Sequence, residues 1–227
     1  MTLPALLNKQ DGFELVRDQI AVIINDNQAA QVILAAGQPD PSLWKLRVFV
    51  ERSNPMEQFL NAPGETTPDK SPLVNVWYES GTFDQSKGGV VTQQAHAGAF
   101  NIDVYGWGLA SDDGLTGQVL GDEEAAKTAQ RGIRLVRNFL MAGENTYLGF
   151  PRGSLVWSRW VESITAFQPD LQNGLAHQIA GARLTLRVEF TETAPEVEAA
   201  DVLKEIGITI KRKLDELTLA QVDNVFP

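Results

Sequence analysis

The chain has no cysteine. Disulfide stapling, thiolate zinc sites and thiol nucleophiles are therefore excluded together, and the absence fits folding in a reducing compartment. Histidine is almost as scarce. His96 and His177 are the only two, and neither has a second histidine at metal-ligand spacing. Ordinary surface or hydrogen-bonded histidines explain both better than a metal site or a catalytic triad. No run approaches the roughly 20 apolar residues that a membrane-spanning helix needs. The opening MTLPALLNKQDG has a short apolar run but no basic n-region, so a signal peptide is not expected. Walker A, GxGxxG and GxSxG motifs are missing, and Lys87-Gly88-Gly89 is too short to read as a phosphate cradle. Basic charge is in deficit: 19 Lys and Arg stand against 29 Asp and Glu, a formal net charge of −10. Phosphate binding draws on Lys and Arg, so a chain this acidic does not wrap nucleic acid through its whole surface, although a local basic face stays open.

The 227 residues are enough for one large domain or two small ones, and 43% hydrophobic with 21% charged residues is an ordinary globular composition. Neither internal repeats nor a linker composition divide the chain, so a single domain over 1–227 is expected, with 200–227 as an extended interaction segment.

Gly12 to about Ala36 reads as helix. Asp11 and Glu14 form an acidic capping box, and Phe13, Val16, Ile20, Ile23 and Ile24 recur at helical spacing. Asn25-Asp26-Asn27 is a place where it could break in two. Gly37 suits a left-handed cap, and Pro39 and Pro41 forbid continuation. Trp44–Glu51 alternates, with Trp44, Leu46, Val48 and Val50 on one face and Lys45, Arg47 and Glu51 on the other. Leu73–Glu79 and Ala99–Gly108 alternate similarly. In the second, Phe100, Ile102 and Val104 point inward while Asn101, Asp103 and Tyr105 point outward. Two polar stretches, 61–72 and 80–98, read as long loops, a length that usually marks function or flexibility.

Gly121–Ala142 is the second helix, with Asp122, Glu123 and Glu124 at its positive end and a buried stripe of Ala126, Ala129, Ile133, Val136 and Leu140. Leu155–Phe167, Ala182–Thr191 and Glu205–Lys213 are further strands. Helix, strands, helix, strands with few βαβ units predicts an α+β fold: a mostly antiparallel sheet flanked by two main helices, with long polar loops.

Few constellations carry chemistry. SDDGLTGQVLGDE resembles a calcium loop at first sight but lacks the alternating Asp/Asn positions, so Asp112 and Asp113 read as a turn before a helix start. No carboxylate pair is singled out for glycosidase-type work. Lys127, Arg131, Arg134 and Arg137 lie near one helix face. They are either a solvated face of dipole-favourable charge or a docking face for an acidic partner, including another copy of this chain. Charged loop residues Glu65, Asp69, Lys70 and Lys87, and the C-terminal Lys211, Arg212 and Lys213, complete the interface candidates. Trp77, Tyr105, Trp107, Trp157 and Trp160 sit on or beside strands, as core filling or, where exposed, as interface anchors. In ERSNPMEQFLN, Asn54 suits an N-cap, Pro55 the first helical position and Glu57 the third, so the stretch reads as a short helix after a strand rather than a reactive loop. No catalytic residue, cofactor or metal is expected.

Several stretches together resemble one family: VFVERSNPMEQFLN, SPLVNVWYES, AFNIDVYGWG, RLVRNFLMAGENTYLG, LVWSRW leading into SITAFQP, and GARLTLRVEF. They are similar to neck-and-tail proteins of long, contractile-tailed bacteriophages, above all the tail terminator, over about residues 40–195. The resemblance implies an α+β subunit of a hexameric ring in the virion. Such a ring caps the tail tube, ends its polymerisation and meets the head-side connector. It further implies tube protein, sheath or connector as partners, no membrane, no specific nucleic-acid binding by a lumen through which phage DNA passes, and synthesis in the host cytoplasm. Another neck, head–tail joining or sheath-end ring protein is the near alternative. A small carboxylate-dependent hydrolase and a monomeric binding module are the alternatives of other classes. Within the chain, Ile206, Ile208 and Ile210 alternate inside Val202–Lys213, a segment able to add a strand to a neighbour or to its own sheet.

Overall fold

A computed structural model describes residues 9–38, 41–59, 71–84, 93–108, 111–112, 118–169 and 179–193. Helix α1 (Gly12–Leu34) is followed by strands β1 (Arg47–Val50), β2 (Leu73–Asp84) and β3 (Gln93–Trp107). A small ribbon, β4 (Ser111–Asp112) with β5 (Gln118–Val119), leads into helix α2 (Gly121–Met141) and then strands β6 (Val156–Phe167) and β7 (Ile179–Thr193). Five strands form one sheet in the order β1-β2-β3-β7-β6. β1 runs parallel to β2, and every other neighbouring pair is antiparallel. The fold is α+β, with a mixed sheet and two main helices.

Both helices pack on one face of the sheet, because that face is the apolar half of each strand's alternation. Val74 and Val76 of β2, Phe100, Ile102 and Val104 of β3, and Leu184, Leu186, Val188 and Phe190 of β7 meet Val16, Ile20 and Ile24 of α1 and Ile133, Val136 and Leu140 of α2. Each such side chain, fully buried, contributes about 1.5–3 kcal/mol, so this layer dominates the stability of the fold. Helix α2 lies closest to β3 where Gly106 and Gly108 face it.

The helix boundaries follow their chemistry. Glu14 accepts a hydrogen bond from the Asp11 N–H at 2.9 Å, closing the expected capping box. α1 then runs unbroken through Asn25-Asp26-Asn27. Asn25 and Asp26 are exposed to solvent, and Asn27 donates to the Ile23 carbonyl at 2.8 Å, so none of the three competes for the helix backbone. The end of α1 differs from expectation. The chain tightens into a 3-10 turn over Ala35–Gly37, and Gly37 is not among the described glycines with left-handed backbone. The buried stripe of α2 runs through Ala125 rather than Ala126, because Ala125 is the residue apposed to Gly106 and Gly108.

The strands also differ from expectation at their ends. Trp44 closes a 3-10 turn over Pro41–Trp44, so β1 starts later than the alternation suggested. Residues 80–98 are not one loop. β2 continues to Asp84 and β3 begins at Gln93, paired from Ser80 opposite Ala99 to Asp84 opposite Ala95. Gly, Thr, Gln and Ala there give a weak period-2 pattern, and it is the cross-strand ladder that extends the hairpin. Pro55–Phe59 forms the short helix expected in ERSNPMEQFLN, as a 3-10 turn. Residues 61–70, 85–92, 113–117 and 194–227 lie outside the described residues, and with them the strand expected at Glu205–Lys213.

Candidate interaction surface

The face of the sheet turned away from the helices carries the alternate residues of each strand. Asn101, Asp103 and Tyr105 do point outward from the helix layer, yet all three are buried. Asp103 is 2% exposed and organises its surroundings. Its two oxygens accept from Arg183 Nε at 2.6 Å and Nη2 at 2.9 Å, and one also accepts from Trp77 Nε1 at 3.0 Å. The Arg183 guanidinium carbon lies 5.0 Å from the Trp77 ring centre and 5.4 Å from that of Phe167, within cation–π range of both. The Asp103 hydrogen bonds raise the Arg183 pKa further against opposing burial, while burial, with Asp103 adding to it, pushes the Tyr105 hydroxyl up. Beside it, the Thr185 hydroxyl donates to Asn101 Oδ1 at 2.8 Å. Below this polar belt, Phe59 of the 3-10 turn closes a second apolar cluster over Leu73, Tyr105, Trp107 and Ile179. The ERSNPMEQFLN joint thus serves as a lid on this end of the sheet.

A cleft of about 330 Å³ opens on this face, lined by Glu51, Arg52, Asn75, Trp77, Asp103 and Arg183 among others. Its carboxylates are committed to structure. Asp103 is saturated as described, and Glu51 accepts from the Tyr78 N–H at 3.0 Å while lying 3.4 Å from Arg17. Glu51 also ends β1 in the left-handed region, at φ 52°, uncommon for a residue with a side chain. Asn75 pins the same turn by exchanging two 3.0 Å hydrogen bonds with the Arg52 backbone. The arrangement orders a loop. It does not leave an acid and a base facing one reacting atom.

The second feature is the edge strand β6. Its inner edge pairs with β7, and no described strand pairs with its outer edge. Trp157 is 41% exposed, Trp160 42% and Ile164 46%. The register with β7 shifts at Trp157 and again at Glu162, which marks two bulges. On the helix side, Arg159 turns inward and donates to the carbonyls of Asn145 at 2.7 Å and Ala142 at 2.8 Å. Its cation thereby meets the negative end of α2. Glu162 is paired with Arg187 at 2.8 Å.

His96 is a core residue. It stacks on Phe83 at 4.4 Å and lies 4.7 Å from Phe190. Its Nε2 is 3.3 Å from the Tyr78 hydroxyl and its Nδ1 is 3.7 Å from Glu192. Glu192 also accepts from the Gly12 N–H at 3.0 Å and the Phe13 N–H at 3.2 Å, so it caps α1 from the end of β7. Burial opposes ionisation of Glu192, but His96 and the two N–H groups outweigh it and hold the carboxyl below the usual carboxylate range. With the folded-state value below the unfolded one, the contribution of Glu192 is full above the unfolded value and is lost as pH falls through the folded one. Glu192→Gln is therefore expected to cost about 1–2 kcal/mol near neutral pH. In urea titrations the gap to the parent should close below about pH 4. A gap constant down to strong acid would contradict this account.

The expected basic stripe on α2 is divided by its surroundings. Lys127 pairs with Glu123, one turn earlier. Arg131 lies over Trp44 at 5.3 Å, with Nη1 buried and without a hydrogen-bond partner among the described residues. Arg134 and Arg137 are exposed. Asp122, Glu123 and Glu124 occupy the first turn of α2, as the sequence suggests. Among the described residues no group of His, Asp and Glu could hold a metal ion. Among them, too, no helix is long and apolar enough to cross a membrane. Glu65, Asp69, Lys70, Lys87, Lys211, Arg212, Lys213, Asp113 and His177 lie outside the described residues. Sequence reasoning did not identify the Asp103–Arg183 pair, 80 positions apart. Opposite charges on the polar faces of two strong strands were the available signal, and only the β3–β7 register makes them neighbours.

No protein-family model matches the chain, and comparison with curated proteins gives no match.

Proposed function

We propose that this chain is a ring-forming structural subunit in the tail or neck of a long, contractile-tailed bacteriophage, and within that class the tail terminator. The phage assignment draws on the resemblance of the stretches quoted above. The assembling role draws on one structural observation: a twelve-residue edge strand, β6, that exposes Trp157, Trp160 and Ile164. Natural proteins rarely leave such an edge free, because its unpaired backbone groups and apolar side chains are a template for another chain. When an edge meets a different surface on the next copy, the interface is heterologous and closes into a ring if the rotation permits. A hexameric ring of this kind would cap the tail tube, stop its growth and offer its other side to the head-side connector. The hydrolase alternative has less support, since Asp103 and Glu51 of the cleft are both engaged.

Native mass spectrometry tests the reading. A six-fold mass, or a ring forming with concentration, is expected. On α2 the exposed Arg134 and Arg137 are the cations available to an acidic neighbour of net charge −10. Arg134→Glu with Arg137→Glu should therefore shift the distribution toward smaller species, more so at low salt. A strict monomer at all concentrations that binds no tube protein would remove the proposal.

A further inference from the structure

We infer that the solvent face of α1 in one copy docks in a groove between α2 and β6 of a neighbouring copy. The inference rests on the ring reading and names the contact that would join one copy to the next. The groove exists because two helices do not cover five strands. A helix with its side chains is about 10 Å wide, close to the width of two strands. α1 lies mainly over β1 and β2, and α2 over β3 and β7. The helix side of β6 is left bare at its end. Ile164, in register with the buried Leu184, is exposed, and so is Ala166.

α2 forms the wall of the groove. At one end Ala126 and Gln130 line a cavity of about 260 Å³ together with Ala166 and Ala180. At the other end Arg159 of β6 reaches Met141 Sδ at 3.7 Å. The helical rise from Ala126 to Met141, about 22 Å, matches the strand rise from Ala166 back to Arg159, about 23 Å. Helix and strand therefore run side by side. Gln130, Arg134 and Arg137 follow one another at i, i+4 and i+7, so both arginines stand on this flank, level with the stretch from Val161 to Ile164. Both are exposed and have no ion pair among the described residues. The groove has an apolar floor and a cationic wall.

α1 carries the complementary face. Val22, Asp26, Ala29 and Ile33 recur at i, i+4, i+7 and i+11, on one side of the helix. All four are exposed, Val22 by 47% and Ile33 by 75%. The core stripe of Val16, Ile20, Ile23 and Ile24 lies on the other side. α1 is thus apolar on two faces, and packing within one molecule accounts for only one of them. Asp26 stands in the middle of the exposed stripe and has no ion pair among the described residues. Seating Val22 and Ile33 on Ile164 and Ala166 brings Asp26 to the arginine wall. Copies of a chain of net charge −10 repel one another, and here unlike charges meet instead. α1 and the groove lie on opposite sides of α2, so a molecule cannot fill its own groove. A neighbour can, and the contact joins unlike surfaces, as a ring requires.

The absence of native cysteine makes cross-linking a clean test. Full-length chains carry Ile164→Cys together with Val22→Cys or Ile33→Cys, and are oxidised mildly. α2 separates the two positions within one molecule, so a disulfide between them joins two molecules. A ladder beyond two linked chains is expected from at least one of the two combinations, because each chain offers both halves of the contact. Chains with a single cysteine give pairs at most. Ser80→Cys, exposed on the face of the sheet turned away from the helices, replaces the α1 position as the control and should give far less. Charge supplies a second reading. Asp26→Arg should weaken the ladder severalfold, and adding Arg134→Glu with Arg137→Glu to the same chain should restore it. No ladder above the control, or a ladder indifferent to Asp26→Arg, would overturn the inference. Native mass of the unsubstituted chain separates the two levels: a ring without the ladder removes this contact but keeps the ring, whereas a monomer removes both.

Discussion

Gly106→Ala should destabilise the protein by about 3 kcal/mol or more, the upper end of what overpacking costs. A Cβ built on Gly106 would lie 2.2 Å from the Ala125 carbonyl oxygen and 2.6 Å from the Ala129 amide nitrogen. Both are backbone atoms of α2, so no side-chain rotation relieves the contact. Either the helix lifts from β3 or the strand bends away, and both responses open the layer that holds Ile133, Val136 and Leu140 against Ile102 and Val104. Thermal or urea unfolding reads the loss directly. Gly37→Ala is the matched control. Nothing lies within 4 Å of a Cβ there, and the backbone is not left-handed, so the change should be neutral or slightly stabilising. An unaltered midpoint for Gly106→Ala would mean that α2 does not sit as closely on β3 as described.

Asp103→Ala should be nearly as damaging, at about 2–4 kcal/mol. The substitution removes the acceptor for Arg183 and for Trp77 Nε1 in a single step. A buried ion pair is weak evidence of net stabilisation, but breaking one side of it leaves a charge without its partner. The lower end of the range applies if Arg183, whose side chain is 35% exposed, turns to water. Two further variants separate the terms. Arg183→Met alone should cost at least as much as Asp103→Ala, because it leaves the buried carboxylate with only the neutral Trp77 and Tyr105 donors. Asp103→Leu combined with Arg183→Met should recover part of the loss, because neither member then remains unpaired. If Asp103→Ala is neutral by urea midpoint, the network does not organise this face.

The α+β class, both helices and the inward faces of β3 and β7 were legible in the sequence. The reason is that the buried faces are strongly periodic. Phe100, Ile102 and Val104, and Leu184, Leu186, Val188 and Phe190, alternate without exception, and the α1 stripe from Val16 to Ile24 keeps helical spacing. The ends were less legible. Ala35–Gly37 ends α1 by tightening, and 80–84 with 93–98 are strand only because each supplies the other's hydrogen bonds. The candidate surface was the least legible part. Trp157 and Trp160 read as core filling ahead of interface anchors, whereas β6 is an edge that exposes both, and Arg131 read as part of a solvated or docking basic face, whereas it lies over Trp44.

The sequence by itself determined which residues enter the core and which periods they follow, because burial of apolar surface depends on spacing along a single element. It also excluded thiol chemistry and disulfides through the lack of cysteine. Only the tertiary structure decided strand order, and with it that β3 is central, that β6 is an edge, and that Asp103 meets Arg183. Those facts depend on pairing between segments far apart in the chain. Register and neighbour are chosen by the whole sheet at once, and no local pattern in either partner records the other.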